Sequence, residues 1–241
     1  MRPIRRCSTP FPEYFEIIWG WFIMLNVIID LSHHNKTVDF ATLKAAGIVG
    51  IIHKATEGTG YTDPTYVSRR TAAEAAGLLW GAYHFGTGAD GAAQAKHFLK
   101  VVGPTNKALL VLDFEQNTQG DSMTLAQADD FVTVVQQQSG RWPVLYTGSS
   151  YFGTKKDVLL AKCPLWLAEY SSKTVVPTNW PSWTLWQYTD GISGPAPHTV
   201  DGVGKCDRDQ FYGTLEQLMA FWPGAATPTV LGRRRTGVCR P

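Results

Sequence analysis

Continuous apolar runs alternate with amphipathic stretches over the first part of the chain. Strands buried on both faces, the type that parallel sheets contain, are predicted at 25–29, 48–53, 78–85, 108–112 and 143–147. Apolar residues spaced three and four apart predict helices at 38–46, 65–76, 91–102 and 124–138. This alternation of strand and helix is typical of parallel βα units.

Helices become scarce beyond the fifth predicted strand. Strands are predicted at 165–169, 184–188 and 205–211, joined mainly by loops, before a last helix at 214–222. We therefore expect the α/β class and an irregular, TIM-like (β/α) barrel with fewer helices in its second half. An open doubly wound sheet is the alternative, but no GxGxxG motif follows the first strand, so nothing indicates a dinucleotide site.

The composition is that of a globular protein with one large domain. Of the 241 residues, 44% are apolar and 17% are charged, and the net charge of +2 gives no indication of a nucleic-acid partner. Basic residues cluster at both ends of the chain. We divide the chain into an N-terminal extension or poorly ordered leader at 1–24, a barrel at 25–223 and a basic tail at 224–241.

The N-terminal stretch has two interpretations. Basic residues precede an apolar run at 17–25, which is the order found in a signal peptide or a short anchor. Glu13 and Glu16 and the lack of a small-residue cleavage site argue against a signal peptide, and the run is too short for stable insertion across a bilayer. We prefer a start at Met24, which makes the preceding residues an upstream extension.

Neither the cysteines nor the histidines have the spacing of a metal site. The four cysteines include no CxxC pair, and Cys163 and Cys206 are either buried free thiols or a disulfide, which the sequence leaves open. His33 and His34 are adjacent rather than four apart on a helix, and no third ligand is evident. We expect no metal and no cofactor.

Two carboxylates follow the buried strand at 108–112. Side chains two apart on a strand project to the same side, so Asp113 and Glu115 lie roughly 7 Å apart along the strand and face the same cleft. Phe114 points the other way, into packing. Neighbouring acids raise each other's pKa, which is the condition that acid–base chemistry requires.

Further acids and aromatic residues lie at or near the other strand ends. In a parallel barrel the carboxyl ends of the strands meet at the active-site face. The carboxylates expected there are Asp30, Asp113, Glu115 and Asp207. The residues expected to bind substrate are Tyr83, Tyr146, Trp166, Trp186, Tyr188 and the loop acid Glu57. Carboxylates lined by aromatic rings are typical of a site that cleaves a glycosidic bond.

The chain resembles glycoside hydrolase family 25, the N-acetylmuramidase lysozymes of bacteria, phages and some fungi. The resemblance rests on segments that appear in family order over 27–213: IIDLSHHN, IIHKATEGTGYTDPTY, GLLWGAYHF, LLVLDFE, PVLYTG, LWLAEY, LWQYTDG and CDRDQFYG. Each segment alone is weak evidence, whereas the ordered set is specific.

The resemblance implies a role for each acid. Glu115 resembles the general acid/base, and Asp113 its partner, which orients or stabilises a substrate acetamido group that acts as the internal nucleophile. Asp30 and Asp207 would shape the electrostatics of the site and bind sugar. Asp209, two residues beyond Asp207, falls where the family often has Asn, so we choose Asp207 and hold Asp209 in reserve.

The resemblance also implies a peptidoglycan hydrolase that cleaves the β-1,4 bond between N-acetylmuramic acid and N-acetylglucosamine with retention. Its partner would be the glycan strands, and we expect a monomer that acts extracellularly or at the cell wall. Release by a phage holin and secretion from a bacterium both fit. The alternatives are a non-catalytic peptidoglycan-binding barrel and a hydrolase of another amino-sugar polymer such as chitin, although the DxxDxDxE strand end of chitinases is absent.

Overall fold

The computed structural model describes residues 24–223. The proposed tail at 224–241 and all of the N-terminal extension before Met24 lie outside the described residues, as do Cys7 and Cys239. Among the residues described, no helix is long and apolar enough to cross a membrane.

Eleven strands and six α-helices make up the described chain. The strands are β1 (Met24–Leu31), β2 (Gly50–Glu57), β3 (Tyr61–Thr62), β4 (Leu79–Phe85), β5 (Ala108–Asp113), β6 (Val144–Gly148), β7 (Leu165–Ala168), β8 (Leu185–Thr189), β9 (Thr199–Val200), β10 (Gly204–Lys205) and β11 (Asp207–Tyr212). The helices are α1 (Phe40–Ala45), α2 (Tyr66–Ala75), α3 (Gly91–Val102), α4 (Leu125–Ser139), α5 (Ser149–Phe152) and α6 (Leu215–Phe221).

Eight of these strands close into a barrel in the order β1, β2, β4, β5, β6, β7, β8, β11. Neighbours are parallel from β1 to β8, whereas β11 runs antiparallel to both β8 and β1. The closed barrel confirms the predicted fold over the open sheet. The scarcity of helices in the second half is also confirmed, since only the one-turn helix α5 and a 3₁₀ turn separate β6 from β7.

The barrel separates two apolar layers. On β5, Leu109 and Val111 pack inside the barrel, while Leu110 and Leu112 pack outwards against the helices. This alternation explains why β5 is apolar along its whole length: both faces of the strand are buried. Because Asp113 has the same parity as Leu109 and Val111, its carboxyl group faces the barrel interior.

Trp222, just after α6, packs inside the barrel against the first residue of β2. Its indole nitrogen donates to the carbonyl of Trp80 at 2.8 Å. A Cβ atom on Gly50 would lie 2.9 Å from the Trp222 ring, so glycine is required at this point of close approach. The strand ends on this side are therefore filled by apolar side chains, and the opposite ends remain available for a cleft.

Two segments differ from the sequence-based expectation. The stretch after His53 was expected to be a loop, but β2 continues through Lys54 to Glu57 and pairs with β3 as a hairpin. The Gly- and Pro-rich link before β11 contains the small hairpin of β9 and β10. The question left open for Cys163 and Cys206 is also answered, because both are free buried thiols.

Candidate active site

Three barrel strands bring their acids to one edge. Asp30 lies near the end of β1 and Asp113 at the end of β5, whereas Asp207 is the first residue of β11. Because β11 runs in the opposite direction, its start rather than its end lies at this edge. Asp207 is the direct partner of Asp30 in the strand register. Glu115 follows β5 and is half-buried.

These acids line a cavity of about 200 Å³. Its walls are formed by Asp30, Tyr83, Asp113, Glu115, Tyr146, Trp166, Tyr170, Gln187 and Asp207. An adjoining groove of about 830 Å³ shares Glu115, Tyr146 and Tyr170 with the cavity and extends over the ends of β6 and β7. An extended polymer therefore has a path that leads past Glu115.

Gln187 on β8 organises the floor of the cavity. Its side-chain nitrogen donates to Asp30 Oδ2 at 2.6 Å. Its side-chain oxygen accepts from the hydroxyls of Tyr146 at 2.7 Å and Tyr170 at 2.6 Å. The two phenol donors determine which way the amide points, so the amide N–H is directed at Asp30. Asp30 and both tyrosines are thus held by one side chain.

Burial and mutual repulsion hold protons on the acids at the β1–β11 seam. Burial raises the pKa of Asp30 well above its usual range, and the charges of Asp207 and Asp209 add to the rise. Burial also raises the pKa of Asp207, to about 6, although a hydrogen bond shared with Asp30 opposes part of this shift. The pair therefore retains a proton at mildly acidic pH.

The second pair, Asp113 and Glu115, is perturbed in a similar way. Burial raises the pKa of Asp113 well above its usual range, and the charge of Glu115 raises it further. The pKa of Glu115 is raised by burial and by Asp207, while Lys54 lowers it. We expected Asp113 to raise the pKa of Glu115, but the repulsion acts mainly on Asp113, the more deeply buried acid. Burial therefore favours the protonated form of each carboxyl, and Lys54 opposes this effect on both.

Lys54 acts electrostatically on this pair, since its positive charge lowers the pKa of both Asp113 and Glu115. Its ammonium group forms an ion pair with Glu57 at 2.7 Å and lies 5.0 Å from the centre of the Phe85 ring. Phe85 is the register partner of Asp113 on the neighbouring strand. The continuation of β2 beyond His53 thus carries this cation to the active-site edge.

The aromatic residues predicted to bind substrate divide into two groups. Tyr83, Tyr146 and Trp166 line the cavity. Trp186 and Tyr188 do not, because they alternate with Gln187 along β8 and pack outwards in the helix layer.

Glu57 also lies outside the cavity wall, held in its ion pair with Lys54. The sequence-based site did not include Tyr170, Gln187 and Lys54. The signal for Gln187 was present in its position at the end of a predicted strand.

Two other polar residues lie beneath or behind the cavity. Asp209 is fully buried and accepts a hydrogen bond from the indole nitrogen of Trp166 at 2.8 Å. His84 is also fully buried, on the outer face of β4, where it contacts Thr56 and Gln94. Between Met24 and Pro223, no group of three or more His, Cys, Asp or Glu side chains is arranged to hold a metal ion.

A protein-family model agrees with this arrangement. The model described as "Glycosyl hydrolases family 25" matches residues 29–196. The match begins within β1, one residue before Asp30, and ends before β11, so the segment that carries Asp207 lies beyond it.

Individual relatives extend the similarity over most of the barrel. Lysozyme M1 of Streptomyces globisporus is 34% identical over 211 residues, covering 80% of this chain and 70% of that protein. The N,O-diacetylmuramidase of Chalaropsis sp is 31% identical over 195 residues, covering 72% of this chain and 92% of that protein. The crystal structure of the bacterial lysozyme from Streptomyces coelicolor superposes with a TM-score of 0.70 at 32% identity, covering 82% of this chain and 97% of that one.

Proposed function

The chain belongs to glycosyl hydrolases family 25, and we infer that it is a peptidoglycan muramidase. It cleaves the β-1,4 bond between N-acetylmuramic acid and N-acetylglucosamine in the glycan strands. The observation that carries this inference is the convergence of four carboxyl groups on one cavity lined by aromatic rings: they come from β1, from β5 and the residues just after it, and from β11. The substrate is a component of the cell wall, so the enzyme acts extracellularly or in the wall itself.

Glu115 is the proposed general acid. It is the half-buried member of the Asp113–Glu115 pair, and it lines both the cavity and the adjoining groove. A glycan strand that occupies both spaces places its glycosidic oxygen beside this carboxyl group. The raised pKa of Glu115 supports a carboxylic acid that still holds its proton at mildly acidic pH. Proton transfer to the glycosidic oxygen lets the C–O bond break.

Asp113 is the proposed partner that directs the substrate's own nucleophile. Its carboxyl group is buried next to Glu115, and one of its oxygens has no hydrogen-bond partner within the protein. The N–H of a substrate acetamido group supplies the donor that this oxygen lacks. The acetamido oxygen then attacks the anomeric carbon as the leaving oxygen takes the proton from Glu115. Water, deprotonated by Glu115, opens the resulting ring with overall retention.

Asp30 and Asp207 are proposed to shape the electrostatics of the cavity and to bind sugar. Both acids face the cavity from the seam between β1 and β11, and Asp30 accepts a hydrogen bond from the side chain of Gln187. Tyr83, Tyr146 and Trp166 offer ring surfaces for sugar contacts. All of these groups come from one chain, which supports catalysis by a monomer.

Digestion of purified peptidoglycan tests this function. The wild-type enzyme and Glu115→Gln are compared in parallel, and the new reducing ends are identified by mass spectrometry. Glu216→Gln, which changes an acid in the first turn of α6, is the matched control. We expect N-acetylmuramic acid reducing ends from the wild type and the control, and none from Glu115→Gln.

Other outcomes separate the alternatives. N-acetylglucosamine reducing ends would keep the glycosidase but change the bond that it cleaves. Turnover of chitin oligomers without turnover of peptidoglycan would indicate a different amino-sugar polymer. Wall binding without any release of reducing ends would replace the enzyme with a binding module.

A further inference from the structure

A buried carboxyl group without a role in the proposed chemistry lies directly beneath the cavity. Asp209 follows Asp207 by two positions on β11, so both side chains point into the barrel, with Asp209 one step deeper. Its Oδ1 atom accepts a hydrogen bond from the indole nitrogen of Trp166 at 2.8 Å. Its Oδ2 atom is buried and has no hydrogen-bond partner in the protein.

The surroundings of Asp209 do not suit a charged carboxylate. No ion pair found between Met24 and Pro223 includes Asp209. The guanidinium of the neighbouring Arg208 donates instead to the carbonyl of Thr199 at 2.8 Å and to the side chain of Asn26 at 3.1 Å. A fully buried carboxylate with one neutral donor and no paired cation is costly, whereas the protonated acid costs much less.

Nearby charges act in the same direction. The titratable and charged groups that influence Asp209, or that its charge influences, are Asp30, Tyr188, Cys206, Asp207 and Arg208. Burial raises the pKa of Asp209 well above its usual range, and Asp207 adds to the rise, while the indole of Trp166 and Arg208 oppose it. An ionised Asp209 would also raise the pKa of Asp30 in the cavity above it.

The indole that Asp209 holds is a wall of the cavity. Trp166 meets Tyr146 edge to face, with ring centres 4.8 Å apart. Tyr146 in turn donates to Gln187, which donates to Asp30. Contacts therefore run without a break from Asp209, through two aromatic rings and one amide, to a cavity acid.

We propose that Asp209 is a positioning residue, which fixes the indole of Trp166 in the cavity wall through an uncharged carboxylic acid. The acid supplies the acceptor that the indole N–H requires inside the barrel. Because it carries no charge, it does so without adding to the repulsion between Asp30 and Asp207. The inference rests on the proposed function in one respect, namely that Trp166 contacts the sugar.

The first test needs no catalysis. Trp166 is identified in the full chain, labelled with ¹⁵N at its indoles, as the resonance that disappears in Trp166→Phe. We expect its indole N–H chemical shift to show no titration step around the usual aspartate pKa, about 3.9, because Asp209 keeps its proton there. A titration of this resonance with a midpoint near the usual aspartate value would overturn the proposal.

The second test compares two replacements of Asp209 in peptidoglycan digestion. Asp209→Asn keeps an oxygen acceptor without a charge, whereas Asp209→Leu removes the acceptor. We expect Asp209→Leu to raise KM about fivefold, the effect of one lost hydrogen bond, with a smaller change in kcat. We expect Asp209→Asn to stay within about twofold of the wild-type KM and to keep the indole resonance in its hydrogen-bonded position.

Controls keep the two proposals separate. Trp166→Phe is expected to raise KM as Asp209→Leu does, and the double variant to lose no more than either single one, because both remove the same contact. Asp209→Asn that loses as much as Asp209→Leu would show that a charge is needed and would overturn the inference. If Asp209→Leu fails to fold, the KM of Asp209→Asn and the pH dependence of the Trp166 indole resonance still test the proposal. If the wild-type enzyme releases no reducing ends, the proposed function is wrong, while the indole resonance of Trp166 still tests the role of Asp209.

Discussion

Asp30 and Asp207 are direct partners across the seam at which the barrel closes, one on β1 and the other on the antiparallel strand β11. The two carboxyls share a hydrogen bond, so at least one of them carries a proton. The reversal of β11 is what makes this pairing possible. In a wholly parallel barrel the first residue of the eighth strand would lie at the opposite end, among the apolar side chains around Trp222.

We expect Asp207→Asn to stabilise the protein at pH 7.5 and to leave stability unchanged near pH 4. The pKa of Asp207 in the folded protein is about 6, above its value in the unfolded chain. Folding is therefore most favourable below pH 4 and weakens as the pH rises to about 6, where Asp207 loses its proton. Removal of the acid eliminates this loss, which is worth roughly 3 kcal/mol, or about 9 °C in Tm.

Thermal unfolding at several pH values measures this effect, and Asp201→Asn, at an exposed turn before β10, is the control. Activity of Asp207→Asn should fall even as its Tm rises, because Asp207 lines the cavity. A lower Tm for Asp207→Asn at pH 7.5 would contradict the sign of this argument.

We expect Lys54→Met to shift the pH–activity profile towards higher pH by about 1 unit. The charge of Lys54 lowers the pKa of both Asp113 and Glu115, so its loss raises both. The ionised and protonated members of the pair define the acidic and alkaline limbs, and both limbs move in the same direction. Profiles of kcat/KM on peptidoglycan fragments measure the shift.

The control for this change is Lys96→Met, which removes an exposed lysine on α3. Its profile should coincide with that of the wild type. Lower activity of Lys54→Met with limbs that do not move would mean that the ion pair with Glu57 serves the hairpin alone.

The sequence shows the barrel and its acids more clearly than it shows which way side chains point. On β8, apolar or aromatic residues occupy both parities, because both faces of the strand are buried. The pattern therefore predicts the strand but does not distinguish Gln187, which faces inwards, from Trp186 and Tyr188, which face outwards. The antiparallel direction of β11 also cannot be predicted from the sequence, because the apolar pattern of a strand does not depend on the direction of the neighbouring strands.

Contacts that form only through the tertiary fold were also missed. The stretch that follows His53, which includes Lys54, was expected to be a loop, and its polar and glycine-rich residues are typical of turns. Pairing with β4 instead extends β2 and brings Lys54 to the acids. The spacing of Asp113 and Glu115, two residues apart at a strand end, was by contrast sufficient to predict that both carboxyls face one cavity.

We expect Trp186→Phe to lower stability without changing KM. Trp186 packs in the helix layer, with its indole nitrogen donating to the carbonyl of Glu169 at 2.7 Å. The smaller ring loses this hydrogen bond and leaves a void, at a cost of about 2 kcal/mol. Unfolding in urea and KM on peptidoglycan measure the two effects. The matched change Trp166→Phe should raise KM, and a comparable rise in Trp186→Phe would place Trp186 at the substrate after all.

We expect Asp129→Asn on α4 to raise Tm above pH 7 and to have no effect below pH 4. Burial raises the pKa of Asp129 to about 6, and the carboxyl of Asp157 in the segment before the 3₁₀ turn Leu160–Lys162 adds to the rise. Because the folded state holds this proton more tightly than the unfolded chain, stability is greatest at low pH and decreases as the pH rises through 6. An exposed acid away from this pair provides a control in Asp201→Asn, for which Tm should follow the wild type at every pH. Activity should be unchanged in both variants, since neither residue lines the cavity. Equal stabilisation of Asp129→Asn at pH 4 and pH 8 would show that the gain comes from helix propensity rather than from the acid pair.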